Sequence, residues 1–212
     1  MRNDILPGRC YFETLANLLS ALEVTDDCGR AFLPDEGSAL AVRQVIAASR
    51  GGGLVALVGN GGSAAIAAHM QNDLSAAVGA RAVVFNDPPL LTALSNDHGY
   101  DNAFEMQMRL WAPLGGMLVA ISSSGASENI LRAARTAREF GLTVLTMTGF
   151  LPDNPLRALG HVNLYVPSAN YGYVELAHSV LSHYLTDAAV LALGRGVGST
   201  RVGGEVDAPR RM

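Results

Sequence analysis

Two short stretches of this chain carry residues suited to holding an anion, Gly59-Asn60-Gly61-Gly62-Ser63 and Ser122-Ser123-Ser124-Gly125-Ala126-Ser127. Each follows an apolar run, Leu54 to Val58 or Met117 to Ile121, and each precedes a helical pattern. Glycine lets backbone approach a phosphate, serine hydroxyls donate hydrogen bonds to it, and a helix start adds partial positive charge. Gly59, Gly61 and Ala64, with Asp87 further on, also satisfy a loose dinucleotide fingerprint. The hydroxyls of the second loop, Ser122, Ser123, Ser124 and Ser127, follow a different strand and favour one compact phosphate held by two loops, as in a sugar phosphate. Turn formation and helix capping are the competing uses of these serines.

A second group could move protons or bind a metal. His69 and Asp73 are spaced i and i+4 on the helix leaving the first loop, so they share a face, as a metal pair, a base beside a proton carrier, or a plain surface pair. On the last helical segment Glu175, Ser179, Ser182, His183 and Thr186 fall on one stripe, opposite Leu176, Val180, Leu181, Tyr184 and Leu185. Small hydroxyls around one Glu and one His suit a site lining better than a solvated face. His178 falls off that stripe and suits a supporting or interface role. Asn96 to Asn102 reads as a polar turn, from which Asp97 is the candidate contact to a substrate hydroxyl.

These residues need a scaffold that brings distant loops together, and the order of elements supplies one. Helices over 11–22 and 39–49 precede strand 54–58, helix 63–77, strand 82–85, helix 88–95, helix 101–110, strand 117–121, helix 127–140, strands 142–147 and 162–166, and a helix over 171–193. The residues around Pro34 to Gly37 read as a turn. Alternation of this kind makes a parallel α/β sheet with right-handed crossovers. Residues 1–50 form a helical arm, 51–193 the α/β domain, and 194–212 a flexible tail.

Charged residues make up 16% of the 212 residues and apolar residues 49%, against about a quarter charged in an average domain, so apolar surface should be buried between subunits. A net charge of -4 gives no basic footprint for nucleic acid. Cys10 and Cys28 are too few for a disulfide framework, and no apolar stretch is long enough for a membrane span, so a soluble cytoplasmic protein is expected.

Taken in order, Gly59 to Ser63, His69 with Asp73-Leu74, Ser95-Asn96-Asp97, Ile121 to Ser127, Thr148-Gly149, and Glu175 through His178 to His183 resemble the sugar isomerase (SIS) domain family, and within it the phosphoheptose isomerase group. The resemblance implies a flavodoxin-like three-layer α/β/α sandwich with a five-stranded parallel sheet, assembled as a homotetramer with active sites between subunits. It implies phosphate contacts from Ser63, Ser122, Ser124 and Ser127, with Asn60, Gly61 and Ser123 close by. It also implies a zinc ion held by His69, Asp73, Glu175 and His183, of which Asp73, Glu175 and His183 are the candidate catalytic groups. Asp73 stands where zinc-dependent members carry Glu, and Glu175 where they carry Gln. The expected activity is aldose-ketose isomerisation of a phosphorylated sugar, sedoheptulose 7-phosphate first. The competing reading is a non-catalytic module that binds phosphosugars or proteins, similar to the initiator-associating proteins of replication.

Overall fold

The strand runs are apolar on both of their faces, and in the computed structural model, which describes residues 6–195, both faces are covered. Strands β3 (Leu54–Gly59), β4 (Arg81–Val84), β5 (Gly116–Ser122), β6 (Thr143–Thr148) and β7 (Val162–Tyr165) form a parallel sheet in the order β7-β6-β5-β3-β4. Val55, Leu57, Met117, Val119, Ile121, Leu145 and Met147 point to one core, and Leu54, Ala56, Val58, Leu118, Ala120 and Val144 to the other. Such alternation between two buried faces turns a strand into a continuous apolar run.

The first core is roofed by α2 (Pro34–Arg50), α3 (Gly62–Asp73) and α7 (Tyr171–Ala192) through Val45, Met70, Ala177, Leu181 and Leu185. The second is roofed by α5 (Ala103–Trp111) and α6 (Glu128–Glu139) through Phe104, Met108, Ile130 and Ala134. The result is the expected flavodoxin-like three-layer sandwich. Helix α1 (Gly8–Ser20) buries no residue and packs on α7, where Tyr11 stacks on Tyr173 with ring centroids 4.4 Å apart.

The sheet has seven strands rather than five. Two short strands from the segment expected to be helical, β1 (Glu23–Thr25) and β2 (Ala31–Phe32), add antiparallel to the β7 edge. Runs of three and two residues are too short to show a period of two, which is why the sequence pattern passes over them. The turn read at Pro34 to Gly37 is instead the first turn of α2, with Pro34 at a position where a helix has no N–H to lose. Asn96, Asp97 and His98 finish α4 (Pro88–His98), so only the residues after them form the polar turn. Helix α3 ends in one π turn, Leu74–Val78, directly after Asp73. The tail beyond Arg195 lies outside the described residues.

His178, which the helix pattern sets apart, is fully buried on α7, and its Nε2 lies 3.2 Å from the Thr148 carbonyl at the end of β6. Burial pushes the imidazole down to about 4, because the charged form loses water. The unfolded chain therefore takes up a proton first. Stability contributed by neutral His178 is complete above about pH 6.5 and is lost as pH falls towards 4, by about 3 kcal/mol in all. Wild-type protein should lose several degrees more of Tm than His178→Gln between pH 7 and pH 4.5, measured by calorimetry. Parallel pH profiles for the two proteins would contradict the assignment.

Candidate active site

Sheet order decides where the loops meet. The chain leaves β3 through α3 on one face towards β4, and leaves β5 through α6 on the other face towards β6. Neighbouring strands whose crossovers diverge leave a crevice beyond their carboxyl ends, the usual ligand site of an open parallel sheet. Here the crevice is a cleft of about 100 Å³ lined by Asn60, Ser63, Ser122, Ser123, Ser124, Ser127, Tyr171 and Glu175. Two larger hollows, about 260 Å³ beside Thr25 and Arg157 and about 340 Å³ beside Gln44 and Gly116, lie elsewhere and gather no comparable set of hydroxyls.

The serines keep donors free for an anion. Ser122 Oγ accepts from the Gly125 N–H at 3.2 Å and Ser124 Oγ from the Ala126 N–H at 3.3 Å, which leaves each hydroxyl proton to point elsewhere. Ser127 is the N-cap residue of α6 but makes no side-chain cap bond. Ser123 Oγ is buried without a partner, an arrangement that costs free energy unless something binds there. Gly59 permits the tight first loop, since a Cβ there would come within 2.5 Å of the Ser63 carbonyl oxygen.

The two loops are tied by an amide pair absent from the sequence reading. Asn60 Nδ2 donates to Asn129 Oδ1 at 3.0 Å, and Asn129 Nδ2 donates back to Asn60 Oδ1 at 2.9 Å. Tyr100 Oη also donates to Asn60 Oδ1, at 2.7 Å. Asn129 is buried on the first turn of α6, where a single polar residue has no periodic signature. Of the polar turn, it is Tyr100 that reaches the first loop, at Asn60; Asp97 stands exposed on α4, accepting from Asn96 Nδ2, and neither residue is among those lining the cleft.

The second chemical group forms where α3 and α7 lie side by side. His69 Nε2 is 3.3 Å and His183 Nδ1 3.5 Å from Asp73 Oδ2, and the imidazole centroids are 4.9 Å apart. The three donor atoms lie within 4.8 Å of one another. Ligand atoms about 2.0–2.2 Å from a tetrahedral zinc ion sit roughly 3.3–3.6 Å apart, so two nitrogens and one carboxylate oxygen here match such a donor set in type, and the two nitrogen-to-oxygen distances match it in spacing. Glu175 is not in this group. Its carboxylate rests against Gly62 at the start of α3, where a methyl group on residue 62 would collide with it. The rest of the α7 stripe divides: Ser182 and Thr186 are buried and return their hydroxyls to carbonyls of their own helix, while Leu176, Val180 and Tyr184, on the side read as core, are exposed. Small hydroxyls that bond their own helix can enter a core, which hydropathy alone does not register.

A flavodoxin-like domain with a serine-lined cleft at its switch point is thus the class defined by fold and geometry. A family model described as SIS domain matches residues 11–149, and the chain belongs to that family. A phosphoheptose isomerase from Mycobacterium tuberculosis is 37% identical over 161 residues, 71% of this chain and 79% of the relative. One from Burkholderia pseudomallei is 38% identical over 163 residues, 72% of this chain and 82% of the relative. The structure of a phosphoheptose isomerase from Neisseria gonorrhoeae superimposes with a TM-score of 0.72 at 27% identity, covering 86% of this chain and 96% of that one.

Asn129→Ala should unclamp the loops by leaving Asn60 with fewer partners. The expected loss is about 1–3 kcal/mol, seen as a lower urea midpoint with an unchanged slope. An unaltered midpoint would show that the amide pair does not hold the cleft.

Proposed function

We propose that this protein interconverts sedoheptulose 7-phosphate and a heptose 7-phosphate through an enediolate. As a member of the SIS family with phosphoheptose isomerases among its relatives, the chain is a phosphosugar isomerase. The observation that carries the finer reading is the presence of two distinct sets of groups: serine donors at the cleft, and a carboxylate between two imidazoles where α3 and α7 lie side by side.

In this reading the sugar's phosphate takes hydrogen bonds from Ser63, Ser122, Ser124 and Ser127, with Ser123, Asn60 and Gly61 close by. Glu175 holds the Gly62 side of the cleft, so the anion takes the side of the second loop and two negative groups stay apart. The open-chain sugar then directs its carbonyl end to Asp73 and His183. Asp73 removes a proton from C1 of the ketose and returns one to C2, while His183 passes a proton between O1 and O2. Asp73 suits the base because its Oδ2 faces both imidazoles and its Oδ1 meets only Asn72 Nδ2, at 3.3 Å. His69, Asp73 and His183 would hold a divalent metal, zinc by donor type, and when bound it would polarise the carbonyl and stabilise the enediolate charge.

A homotetramer belongs to the same proposal. Leu176, Val180 and Tyr184 expose an apolar row on α7, and α1 adds Phe12, which is 69% exposed. Burying that row against other copies fits the low charge content. Asp97, exposed away from its own cleft, would then serve a neighbouring site.

Substitution separates these roles. Asp73→Asn and His183→Ala should each lower kcat for sedoheptulose 7-phosphate by about 10²- to 10⁴-fold. Glu175→Gln should keep turnover within about tenfold, and an inactive Glu175→Gln beside an active Asp73→Asn would transfer the base role to Glu175. Ser124→Ala should raise KM with little change in kcat, by roughly three- to tenfold for one lost hydrogen bond. An unchanged KM would remove Ser124 from the phosphate site.

A further inference from the structure

Phe150 stands out among the described residues as the one non-glycine residue with positive φ, at 57°. A bulky side chain in the left-handed region is strained and persists only where its surroundings fix it. Here the fixing is visible. The Phe150 N–H donates to the Ser168 carbonyl at 2.8 Å, and its own carbonyl accepts from Tyr165 Oη at 3.0 Å. The residue follows Thr148-Gly149 at the carboxyl end of β6, and the Gly149 N–H donates to the Ser123 carbonyl at 3.0 Å, so the constrained backbone is anchored directly to the serine loop.

The strained backbone places the Phe150 ring, partly buried on the core, against Tyr171. The centroids are 4.6 Å apart and the planes meet at 80°, the edge-to-face geometry that aromatic pairs favour. Tyr171 begins α7 one turn before Glu175 and lines the serine cleft, yet 62% of it is exposed. It has no hydrogen bond from its hydroxyl to any described residue, so the pair with Phe150 is what orients it. An oriented, uncovered aromatic ring beside a cleft of hydroxyls offers an apolar surface next to a polar anchor.

We propose that Tyr171 is a specificity-determining contact, positioned by Phe150, which packs its ring on the carbon chain adjoining the phosphate ester of an open-chain sugar phosphate. This rests on the phosphosugar reading of the cleft. The sugar's C–H groups lie on the ring while its hydroxyls remain towards water, so the contact adds affinity for a phosphorylated polyol chain and none for phosphate alone. Phe150 acts through Tyr171 and touches no substrate.

Calorimetric titration of the full chain with sedoheptulose 7-phosphate and, separately, with inorganic phosphate tests this. Wild-type protein should bind the sugar phosphate more tightly. Tyr171→Ala should lose roughly three- to tenfold of that preference with inorganic phosphate affinity unchanged, and Tyr171→Phe should retain it. Phe150→Gly, which tolerates the backbone conformation but lacks the ring, should lose preference in the same direction, and Phe150→Tyr should restore it. Unchanged inorganic phosphate binding in each variant certifies an intact cleft. If wild-type protein prefers the sugar phosphate and Tyr171→Ala keeps the whole preference, the aromatic contact is wrong while the phosphosugar reading stands. Equal affinity of wild-type protein for both ligands overturns both.

Discussion

Divergence of two crossovers from adjacent strands is the constraint on which the rest depends. Because β3 and β5 are neighbours and their helices leave to opposite faces, the space beyond Gly59 and Ser122 cannot be closed by either crossover. The residues that line the cleft then have to be delivered to that opening. The first loop delivers Asn60 and Ser63, the second delivers four serines, and α7, which packs along α3, adds Glu175 and Tyr171 from the side. The Asn60 and Asn129 amides hold the two loops at a fixed separation, so the donors form a set before any ligand arrives. Donors fixed in advance cost no reorganisation when charge develops or binds.

The pairing of α3 with α7 imposes a second geometry from the same sheet. His69 and Asp73 are adjacent on α3 by helical spacing alone, but His183 joins them only because α7 crosses back over the first core through Val174, Ala177 and Leu181. The resulting trio is part exposed, with the two imidazole side chains 55% and 51% accessible, so a reacting group can approach it. Burial divides the one helix: His178, Leu181 and Leu185 face inward, with His178 bonded to the end of β6, while His183 is exposed and Glu175 lines the cleft.

Features written in local pattern were legible from the residues. Strand runs such as Leu54 to Val58, the serine loop, and the one-turn spacing of His69 and Asp73 need no knowledge of the fold. Ordered motifs also carried the family, which the SIS match supports. What escaped was set by tertiary placement. Strands β1 and β2 exist because the β7 edge is there to pair with them, not because three residues prefer a strand. Asn129 and Tyr100 are ordinary polar residues until the loops meet at Asn60. Ser182 and Thr186 entered the core by bonding their own helix, and Leu176 and Val180 stayed outside it, reversing part of a hydropathy wheel. Positive φ at Phe150 has no sequence signal in a residue type that avoids it.

The central claim is that one crevice both anchors a sugar phosphate and moves a proton between its first two carbons. The most direct measurement is NMR of purified full-length protein with sedoheptulose 7-phosphate in deuterated water, before and after chelation and again after zinc is restored. The account predicts formation of the aldose with deuterium at C2, lost on chelation and regained with zinc. Neither conversion nor exchange under any metal condition, in protein that still binds the sugar phosphate, would contradict it and leave a binding module in its place.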